Sequence, residues 1–523
     1  MPEKKQIDKL RKQGGIFLQL ALAIFCLYIL YSHWVLFAVS NFEVNEFAGA
    51  LRMLPHFYYK LGLTPYNQFG IVYPPGLFLI VGKLIPFASI FQRNLIFSII
   101  ELIFVGLNCF LISKLAKTKA QKITIVSLFL LISVIIIGNV WSDPFSYQLL
   151  TTLILLNLLF LSSNKQSLRI PIASAFLADL SVFFRWDLIT IYAGMTSALY
   201  LAYILYTTIF KKRNIQDRIG FWRVIFFELM GLGVGFLCLA GYLYSIHALR
   251  TGIDFIFRIP TLVILPYRKL PLPPFVSIFN NAYSIYSCLL IIAVNAIRYI
   301  RNKLFGSGSF IKLFLLCFPL VLLPYALGRT NLGHVLPLLY LVALSLLIEY
   351  SMFPKNPVPV ILMFILLIPI WNFFIPGRSI LPKTKNYLSK TVNTLVSDCK
   401  SKMPQSSLYN SLFVGRLSYQ QFISNSAVLY LLNPDKPPAT AYISDEPGLQ
   451  NSCYYGSLIA KQLENSPKPM LSFLEVSPQE PEHNLTRYMQ SCNKIEDFLK
   501  NGKFKTIGKC TVNTKQFEIR IYQ

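Results

Sequence analysis

Residues 146–163 read SYQLLTTLILLNLLFLSS, a stretch without a single charged side chain. A run of this length and polarity is typical of a helix that crosses a lipid bilayer. Ten further apolar runs of roughly spanning length accompany it: they centre near 16–37, 95–112, 123–139, 170–184, 188–209, 222–246, 276–297, 309–327, 334–350 and 357–376. The sequence therefore predicts an all-α polytopic membrane protein with about 11 transmembrane helices.

The composition of the whole chain supports this prediction. Of its 523 residues, 54% are hydrophobic and only 14% are charged, whereas a soluble domain carries about 25% charged residues. So few charges could not cover the surface of a chain this long in water, which excludes a soluble globular protein. The 49 Lys and Arg against 23 Asp and Glu give a net charge of +26. Because the basic residues cluster between apolar runs, we interpret them as a topology signal and not as a nucleic-acid surface.

Basic residues also predict the orientation of the chain. Short loops between the apolar runs hold four basic clusters: Lys114, Lys117, Lys119 and Lys122; Lys165 and Arg169; Lys211, Lys212, Arg213 and Arg218; and Arg298, Arg301 and Lys303. Because Lys and Arg collect in cytoplasmic loops, we place these clusters and the basic N-terminus in the cytoplasm. A further apolar segment, 74–91, would invert every later loop if it crossed. We therefore predict that it is a helix that lies in or dips into the outer leaflet.

A change in composition divides the chain into two domains. Residues 1–376 form the predicted multi-span transmembrane domain, with a first outer loop at 39–94. Residues 377–523 have ordinary polarity and are predicted to form a small α/β extracytoplasmic domain. Its predicted elements are strands at 441–443 and 505–521, the latter a hairpin, and helices near 455–465 and 484–500. Four cysteines here suit two disulfides in an oxidising compartment, with four free thiols as the alternative: Cys399, Cys453, Cys492 and Cys510.

The first outer loop carries acidic residues directly after the first apolar run. It reads SNFEVNEFAGALRMLPHFYYKLGLTPYNQFGIVYPPG from residue 40 to residue 76. Ser40 and Glu43 have the spacing of a capping box, which holds the start of a helix. Glu46 has no such structural role, and an unpaired carboxylate at a membrane surface is costly unless it meets a cation or takes part in chemistry. Glu46 is therefore the first candidate base, and Glu43, for which capping is favoured, is the second.

Three segments of this loop together resemble the first extracytoplasmic loop of C-type glycosyltransferases, the class of protein O-mannosyltransferases and aminoarabinose transferases. The segments are N-E-F-x-x-A-x-R-x-L at 45–54, G-L-T-P-Y-x-x-F at 62–69 and V-Y-P-P-G at 72–76. Carried over by position, Asn45 and Glu46 occupy the acidic pair of that family, and Tyr73 belongs to its aromatic-Pro-Pro turn. Asn45 departs from the family, which usually has aspartate there. Either Glu46 then acts as the base or the activity is altered.

Three other predicted outer turns resemble elements of the same family. They are Trp141-Ser142-Asp143-Pro144, Phe184-Arg185-Trp186-Asp187 and the stretch GRTNLGH at 328–334. The resemblance assigns their charged residues to substrate binding: Asp143, Arg185, Asp187, Arg329 and His334. The structural alternatives are an ion pair between Arg185 and Asp187 and a capping role for His334. The last turn has Asn331 where relatives usually have aspartate.

The resemblance implies a membrane glycosyltransferase with a GT-C-like fold, in which the transmembrane domain is catalytic. Such an enzyme moves a sugar, with inversion, from a polyprenyl-phosphate donor to an extracytoplasmic hydroxyl of a lipid, glycan or protein acceptor. This transfer needs a base for the acceptor and positive charge for the leaving phosphate. The planar guanidinium group suits phosphate oxygens, and we assign that role to Arg258, Arg268 and Arg329. Contacts with lipid headgroups are the structural alternative for all three.

Two other functions stay open at this point. A transporter or flippase of lipid-linked glycans should show internal repeats of its helices, and the sequence has no convincing repeat. A catalytically silent relative is the second alternative, motivated by Asn45 and Asn331. The same two residues leave few ligands for a metal, so the sequence predicts no cofactor, while a divalent ion, which some relatives use, stays open. Membrane lipids are expected partners and nucleic acid is not.

The orientation can be tested at Gln523. A reporter that is active only outside the cytoplasm, fused after this residue, should be active, because an odd number of crossings from a cytoplasmic N-terminus ends outside. A reporter that needs the cytoplasm should be silent at the same position. The opposite pair of readouts would contradict the predicted topology.

Overall fold

The computed structural model describes most of the chain, in segments. They are residues 20, 23, 27, 54–70, 72–84, 90–136, 144–162, 167–210, 215–264, 281–301, 309–328, 332–353, 358–374, 397–416, 429–430, 432–433, 435–443, 452–476, 494–512 and 515–523. Every predicted apolar run from 95–112 onward coincides with a helical region. The run at 16–37 lies almost wholly outside the described residues.

The membrane part consists of helices. In chain order they are α1 at 54–60, α2 Gly76–Leu79, α3 Ile90–Leu115, α4 Lys119–Ile136, α5 Pro144–Ser162, α6 Arg169–Phe210, α7 Ile215–Ser245, α8 Leu249–Ile253, α9 Asn281–Arg301, α10 Ser309–Cys317, α11 Leu323–Gly328, α12 Leu332–Met352 and α13 Val358–Phe374. Wider π-helical turns, Ile80–Leu84 and Asp254–Ile264, continue α2 and α8, and a 3-10 turn, Phe318–Leu322, joins α10 to α11. Of the predicted helix at 74–91, residues 76–84 are helical, Pro74 and Pro75 precede the helix, and 90–91 belong to α3; its place in the outer leaflet stays a prediction.

Five stretches among the described residues are long and apolar enough to cross a membrane. They are Arg169–Ile209, Arg218–Ser245, Tyr283–Arg301, Phe310–Leu327 and Val335–Met352. Shorter apolar helices lie at Gln121–Ser133 and Ser146–Ser162. These helices agree with the predicted class of polytopic membrane protein. The predicted number of about 11 crossings is not confirmed by them.

Helix α6 is broken near its middle. At 42 residues a straight α6 would be about 63 Å long, twice the thickness of the bilayer core. Arg185 has φ −148° and ψ 73°, outside the helical region of backbone conformation. The break therefore lies at the turn that the sequence predicts between the runs 170–184 and 188–209.

Contacts with α7 show that the two halves of α6 run in opposite directions. In order along α7, the contacting pairs are Phe221 with Tyr203, Glu228 with Thr196, Gly231 with Ala175, and Gly235 with Asp179. The partner numbers fall in the second half of α6 and rise in the first half, so α6 is a helical hairpin. A Cβ at Gly231 or Gly235 would overlap the α6 backbone. These glycines therefore let the two helices approach closely, as small residues do in membranes.

A buried polar cluster joins this hairpin to α5 and α7. The carboxyl group of Glu228 is almost fully buried and accepts hydrogen bonds from Asn157 Nδ2 at 2.6 Å and Thr196 Oγ1 at 2.9 Å. The Tyr200 hydroxyl donates to Asn157 Oδ1 at 2.6 Å. Because lipid offers no hydrogen-bond partners, such groups must satisfy one another. The cluster therefore fixes the register of α5, α6 and α7.

The C-terminal part folds around a mixed sheet of four strands. The strands are β1 Ser411–Arg416, β2 Met470–Glu475, β3 Phe504–Val512 and β4 Lys515–Tyr522, in the spatial order β1-β2-β4-β3. β1 and β2 are parallel, and the other two pairs are antiparallel. The helices are α14 Ser397–Lys402, α15 Cys453–Asn465 and α16 Lys494–Asn501. The predicted hairpin at 505–521 and the predicted helix at 455–465 are confirmed.

Other predictions for this part were incomplete or wrong. Residues 441–443 are not a strand of the sheet, because Tyr442 forms an isolated bridge to Gly70 of the first outer loop. The sequence reading missed β1 and β2; β2 is buried at every position, so it shows no alternation of polar and apolar residues. The predicted helix near 484–500 is described only from Lys494 onward, as α16.

A disulfide between Cys399 and Cys510 fastens α14 to β3 across 111 residues of sequence. Beside it, Asp398 Oδ2 accepts a hydrogen bond from the Thr511 N–H at 2.8 Å. The hydrogen bonds from Lys402 and Thr511 hold the pKa of the Asp398 carboxyl below its usual value. Cys453 is disulfide-bonded as well. Of the two alternatives for these cysteines, the structure thus has disulfides.

Replacement of Glu228 tests the buried cluster. Glu228→Ala removes the acceptor of Asn157 and Thr196, and we expect the free energy of unfolding to fall by about 1–3 kcal/mol. Glu228→Gln keeps an acceptor for Asn157 and should retain most of the stability. Thermal unfolding of the detergent-solubilised protein measures both variants. An alanine variant as stable as the unmodified protein would show that the cluster does not hold the helices together.

Candidate functional site

Segments from four distant parts of the sequence meet at one end of the helix bundle. They are residues 54–76 of the first outer loop, the hairpin turn at 185–187, the helical stretch 249–264, and residues 439–443 of the C-terminal part. Trp186 Nε1 donates to the carbonyl oxygen of Ile256 at 3.1 Å, which joins the hairpin turn to the π-helical stretch. The Gly70 N–H donates to the carbonyl oxygen of Ala441 at 2.7 Å, which joins the first outer loop to the C-terminal part.

Arg185 is a buried cation at this end of the bundle. Its Nε and Nη2 atoms donate to the two carboxylate oxygens of Asp187 at 2.9 Å and 2.7 Å, which is the bidentate geometry that arginine favours. Arg185 is only 6% exposed, and its guanidinium lies 5.4 Å from the ring centre of Tyr325. The ion pair named as the structural alternative for Arg185 and Asp187 is therefore formed. It occupies one edge of the guanidinium.

Arg258 has a different environment. Its Nη1 atom pairs with Asp254 Oδ1 at 3.0 Å, one helical turn earlier, and its side chain is 58% exposed. The side chain of Asp254 is only 16% exposed, so the pair is open to solvent mainly on the arginine side. Arg258 can therefore meet an incoming anion through the solvent-facing part of its guanidinium, unlike the buried Arg185.

The segment around Tyr73 is held by a hydrogen bond within the first outer loop. The Tyr66 hydroxyl donates to the carbonyl oxygen of Tyr73 at 2.8 Å. Tyr66 adopts a φ of 65°, which is uncommon for a residue with a Cβ. Burial raises the pKa of Tyr66 well above its usual value, so that the phenol keeps its proton at neutral pH. The Tyr73 side chain is half-buried.

Tyrosines of the C-terminal part contact the helix that carries Arg258. The Tyr442 ring centre lies 5.0 Å from that of Phe255 and 6.1 Å from that of Tyr455. Burial raises the pKa of Tyr455 to about 12, with Asp254 adding to the rise and Arg258 opposing it. Protonated phenols and a guanidinium can donate hydrogen bonds to phosphate and sugar oxygens.

The structure does not describe the side chains of the other predicted site residues. Six lie outside the described residues: Glu43, Asn45, Glu46, Asp143, Arg268 and Arg329. His334 lies in the first turn of α12, where the structure describes only its backbone. The structure therefore brings together the segments of Tyr73, Arg185, Asp187 and Arg258, and leaves the roles of the other residues as predictions.

Two described helix ends nevertheless lie close to Arg185. Tyr147, in the first turn of α5, and Tyr325, in α11, both interact electrostatically with its guanidinium. Asp143 directly precedes α5 in the sequence, and Arg329 directly follows α11. Asp143 and Arg329 are thus adjacent in sequence to helices whose tyrosines lie near Arg185.

Sequence reasoning missed Asp254 and Tyr442. The spacing of Asp254 and Arg258, four residues apart on a helix, is a pattern of ion pairs and could have revealed the first. Tyr442 had no such signal, because its partner Phe255 is far away in the sequence. Among the described residues, no three His, Cys, Asp or Glu side chains gather as metal ligands.

No protein-family model and no curated protein matches the sequence. Three solved structures of the oligosaccharyltransferase of Archaeoglobus fulgidus are similar to this chain. The one tethered to an acceptor peptide with the NVT sequon has a TM-score of 0.44 and 12% identity, covering 86% of this chain and 69% of that one. The complex with an inhibitory peptide and a dolichol-phosphate has a TM-score of 0.45 and 11% identity, covering 86% of this chain and 69% of that one. The complex with Zn and sulfate has a TM-score of 0.42 and 10% identity, covering 92% of this chain and 79% of that one. With TM-scores below 0.5, these likenesses assign neither fold nor function to this chain.

Arg185→Lys tests the buried ion pair. Lysine keeps the charge but cannot hold both oxygens of Asp187, so the free energy of unfolding should fall by about 1–3 kcal/mol. Arg250→Lys, at an exposed arginine of α8, is the matched control and should be neutral. Thermal unfolding in detergent compares the two. Equal stability of both variants would mean that the bidentate pair contributes nothing measurable.

Proposed function

We propose that this protein is a membrane glycosyltransferase that takes a sugar, a hexose or a pentose, from a polyprenyl-phosphate donor at the extracytoplasmic face. The acceptor is a hydroxyl group of a lipid, glycan or protein, and the transfer is inverting. One observation carries the proposal: the Tyr73 segment, the turn at Arg185 and the helix of Arg258 meet at one end of the bundle. These are segments that the resemblance to C-type glycosyltransferases, or the chemistry of phosphate binding, singles out in the sequence.

The reaction needs two groups on opposite sides of the anomeric carbon. The acceptor oxygen forms a bond to that carbon while the bond from the carbon to the donor phosphate oxygen breaks. A base takes the acceptor proton, and cations stabilise the negative charge that develops on the leaving phosphate. We assign the first role to Glu46, with Asn45 and Glu43 beside it. We assign the second to Arg258, Arg268 and Arg329.

The geometry of Arg258 supports its assignment. Its exposed guanidinium is held on a structured helix, beside the buried Phe255 and the hairpin turn. Its present partner, Asp254, is half-buried, whereas the Arg258 side chain is 58% exposed and can still be reached from solvent. The donor phosphodiester carries one negative charge, as a carboxylate does, and a second develops on the phosphate as its bond to the sugar breaks, so an arginine at this place would stabilise the leaving group more than the bound donor. Arg185, in contrast, is committed to Asp187, and we assign it to shaping the turn as well as to substrate binding.

The disulfides support an extracytoplasmic site. Disulfides persist in oxidising compartments and are rare in the cytosol. Cys399 and Cys510 are paired in the part of the chain that contacts the first outer loop at Gly70. If that part lies outside the cytoplasm, so does the end of the bundle where Arg258 lies.

Glu46→Gln tests the proposed base. The substitution keeps the size of the side chain but removes its basicity, so transfer should fall by about 100-fold or more with unchanged expression. Glu43→Gln, which leaves a capping residue in place, is the matched comparison: Glu43, the second candidate base, takes over the role only if transfer falls in Glu43→Gln and survives in Glu46→Gln.

The assay uses the purified protein in liposomes with radiolabelled polyprenyl-phosphate sugars and measures the transfer and the translocation of label. Transfer that survives Glu46→Gln would remove Glu46 as the base. Translocation without transfer would favour a transporter, and the absence of both with every donor would favour a catalytically silent relative.

A further inference from the structure

One short segment of the C-terminal part contacts two elements of the membrane part at once. We name residues 440–442 the bridging segment. Its Ala441 carbonyl oxygen accepts the Gly70 N–H at 2.7 Å, and Tyr442 forms a β-bridge with the same glycine. The Tyr442 ring lies 5.0 Å from that of Phe255, in the helix that carries Arg258. The first outer loop and the Arg258 helix are thus both fastened to the bridging segment.

Gly70 is the point at which these three elements come closest. A Cβ built on Gly70 would overlap the ring of Phe255, so the ring lies directly against the loop backbone. Phe255 is 2% exposed, and the Tyr66 ring lies 6.0 Å from it. The loop and the helix therefore cannot shift independently of each other.

Gln462 holds the bridging segment from the opposite side. Its Oε1 atom accepts the Ala441 N–H at 2.9 Å. Gln462 belongs to α15, whose buried residues anchor that helix in the C-terminal part. Both backbone polar groups of Ala441 are thus hydrogen-bonded: the N–H donates to Gln462 of α15, and the carbonyl oxygen accepts from Gly70. A substitution at Gln462 should therefore weaken the hydrogen bond of Gly70, because Ala441 bonds to both residues.

We propose that Gln462, acting through the bridging segment, is a positioning residue for the transfer reaction. It holds the described part of the first outer loop, residues 54–70, in a fixed relation to the Arg258 helix; the proposed base, Glu46, belongs to the same loop by sequence. This inference rests on the proposed function. Base and phosphate-binding cation must act on one donor molecule, and a displacement of about 1 Å at such a site lowers the rate strongly. The C-terminal part then sets the geometry of the membrane part, in addition to any contacts it makes with an acceptor.

Amide hydrogen exchange at Gly70 tests the contact without any need for activity. The full-length protein is compared with Gln462→Leu, which removes the acceptor, and with Gln462→Glu, which keeps one. Lys461→Ala, at the exposed neighbour on α15, is the matched control. Loss of one hydrogen bond should speed exchange at Gly70 by about fivefold in Gln462→Leu, with Gln462→Glu and Lys461→Ala near the unmodified rate. Unchanged exchange in Gln462→Leu would overturn the inference.

Steady-state transfer kinetics on the same variants test the positioning role. We expect Gln462→Leu to lower kcat by about fivefold or more with KM for the donor within about twofold, and Gln462→Glu to restore kcat. Gly70→Ala, which pushes against Phe255 from the loop side, should lower kcat as well. Faster exchange with an unchanged kcat would overturn the positioning role. If the unmodified protein transfers no sugar, the proposed function fails, while the exchange experiment still decides whether Gln462 controls the loop.

Discussion

The thickness of the bilayer is the constraint on which this structure depends. A helix of 42 residues is twice as long as the bilayer core, so α6 must turn back at the surface. The turn needs a residue outside the helical region, and that residue, Arg185, brings a charge with it. The bidentate pair with Asp187 lets this charge be buried at the turn. Trp186, between the two, donates to the carbonyl oxygen of Ile256, so the hairpin turn is joined to the π-helical stretch Asp254–Ile264.

Two further elements pack next to this turn, the π-helical stretch and then the bridging segment. The π-helical stretch places Phe255 against the first outer loop and leaves Arg258 exposed. The bridging segment then closes over both, through the Ala441 carbonyl and the Tyr442 ring. Arg185 and Arg258, both at this end, consequently differ in kind. Arg185 is buried and paired with both oxygens of Asp187, whereas the side chain of Arg258 is exposed and can be reached by solvent or an anion.

Much of the membrane part could be predicted from sequence because its signals are local. Uncharged runs such as 146–163 mark helices by length alone, and the charged Arg185 and Asp187 between two runs mark a turn. The C-terminal part was harder. At 441–443 the structure has only an isolated bridge, from Tyr442 to Gly70, and Gly70 is so remote in the sequence that no local pattern can indicate it. β2 was missed because it is buried on both faces and shows no alternation.

The candidate site likewise contains some features with a local sequence signal and others without one. The pair of Asp254 and Arg258 follows a spacing that can be read from the sequence, whereas the packing of Phe255 between Gly70 and Tyr442 depends on contacts between residues that are remote in sequence. Asn45 and Asn331 show the limit of the resemblance, because the C-type glycosyltransferases that the sequence resembles usually have acids at the matching positions. The proposed base, Glu46, is the carboxylate that remains at the first of these positions.

The most direct measurement is an experimental structure of the full chain with a polyprenyl-phosphate sugar bound. An arginine among Arg258, Arg268 and Arg329 should lie about 3 Å from a phosphate oxygen, and the Glu46 carboxylate should face the anomeric carbon from the opposite side. A Glu46 side chain that points into lipid, or lies beyond about 10 Å, a Debye length, from the donor and every arginine, would contradict the proposed function.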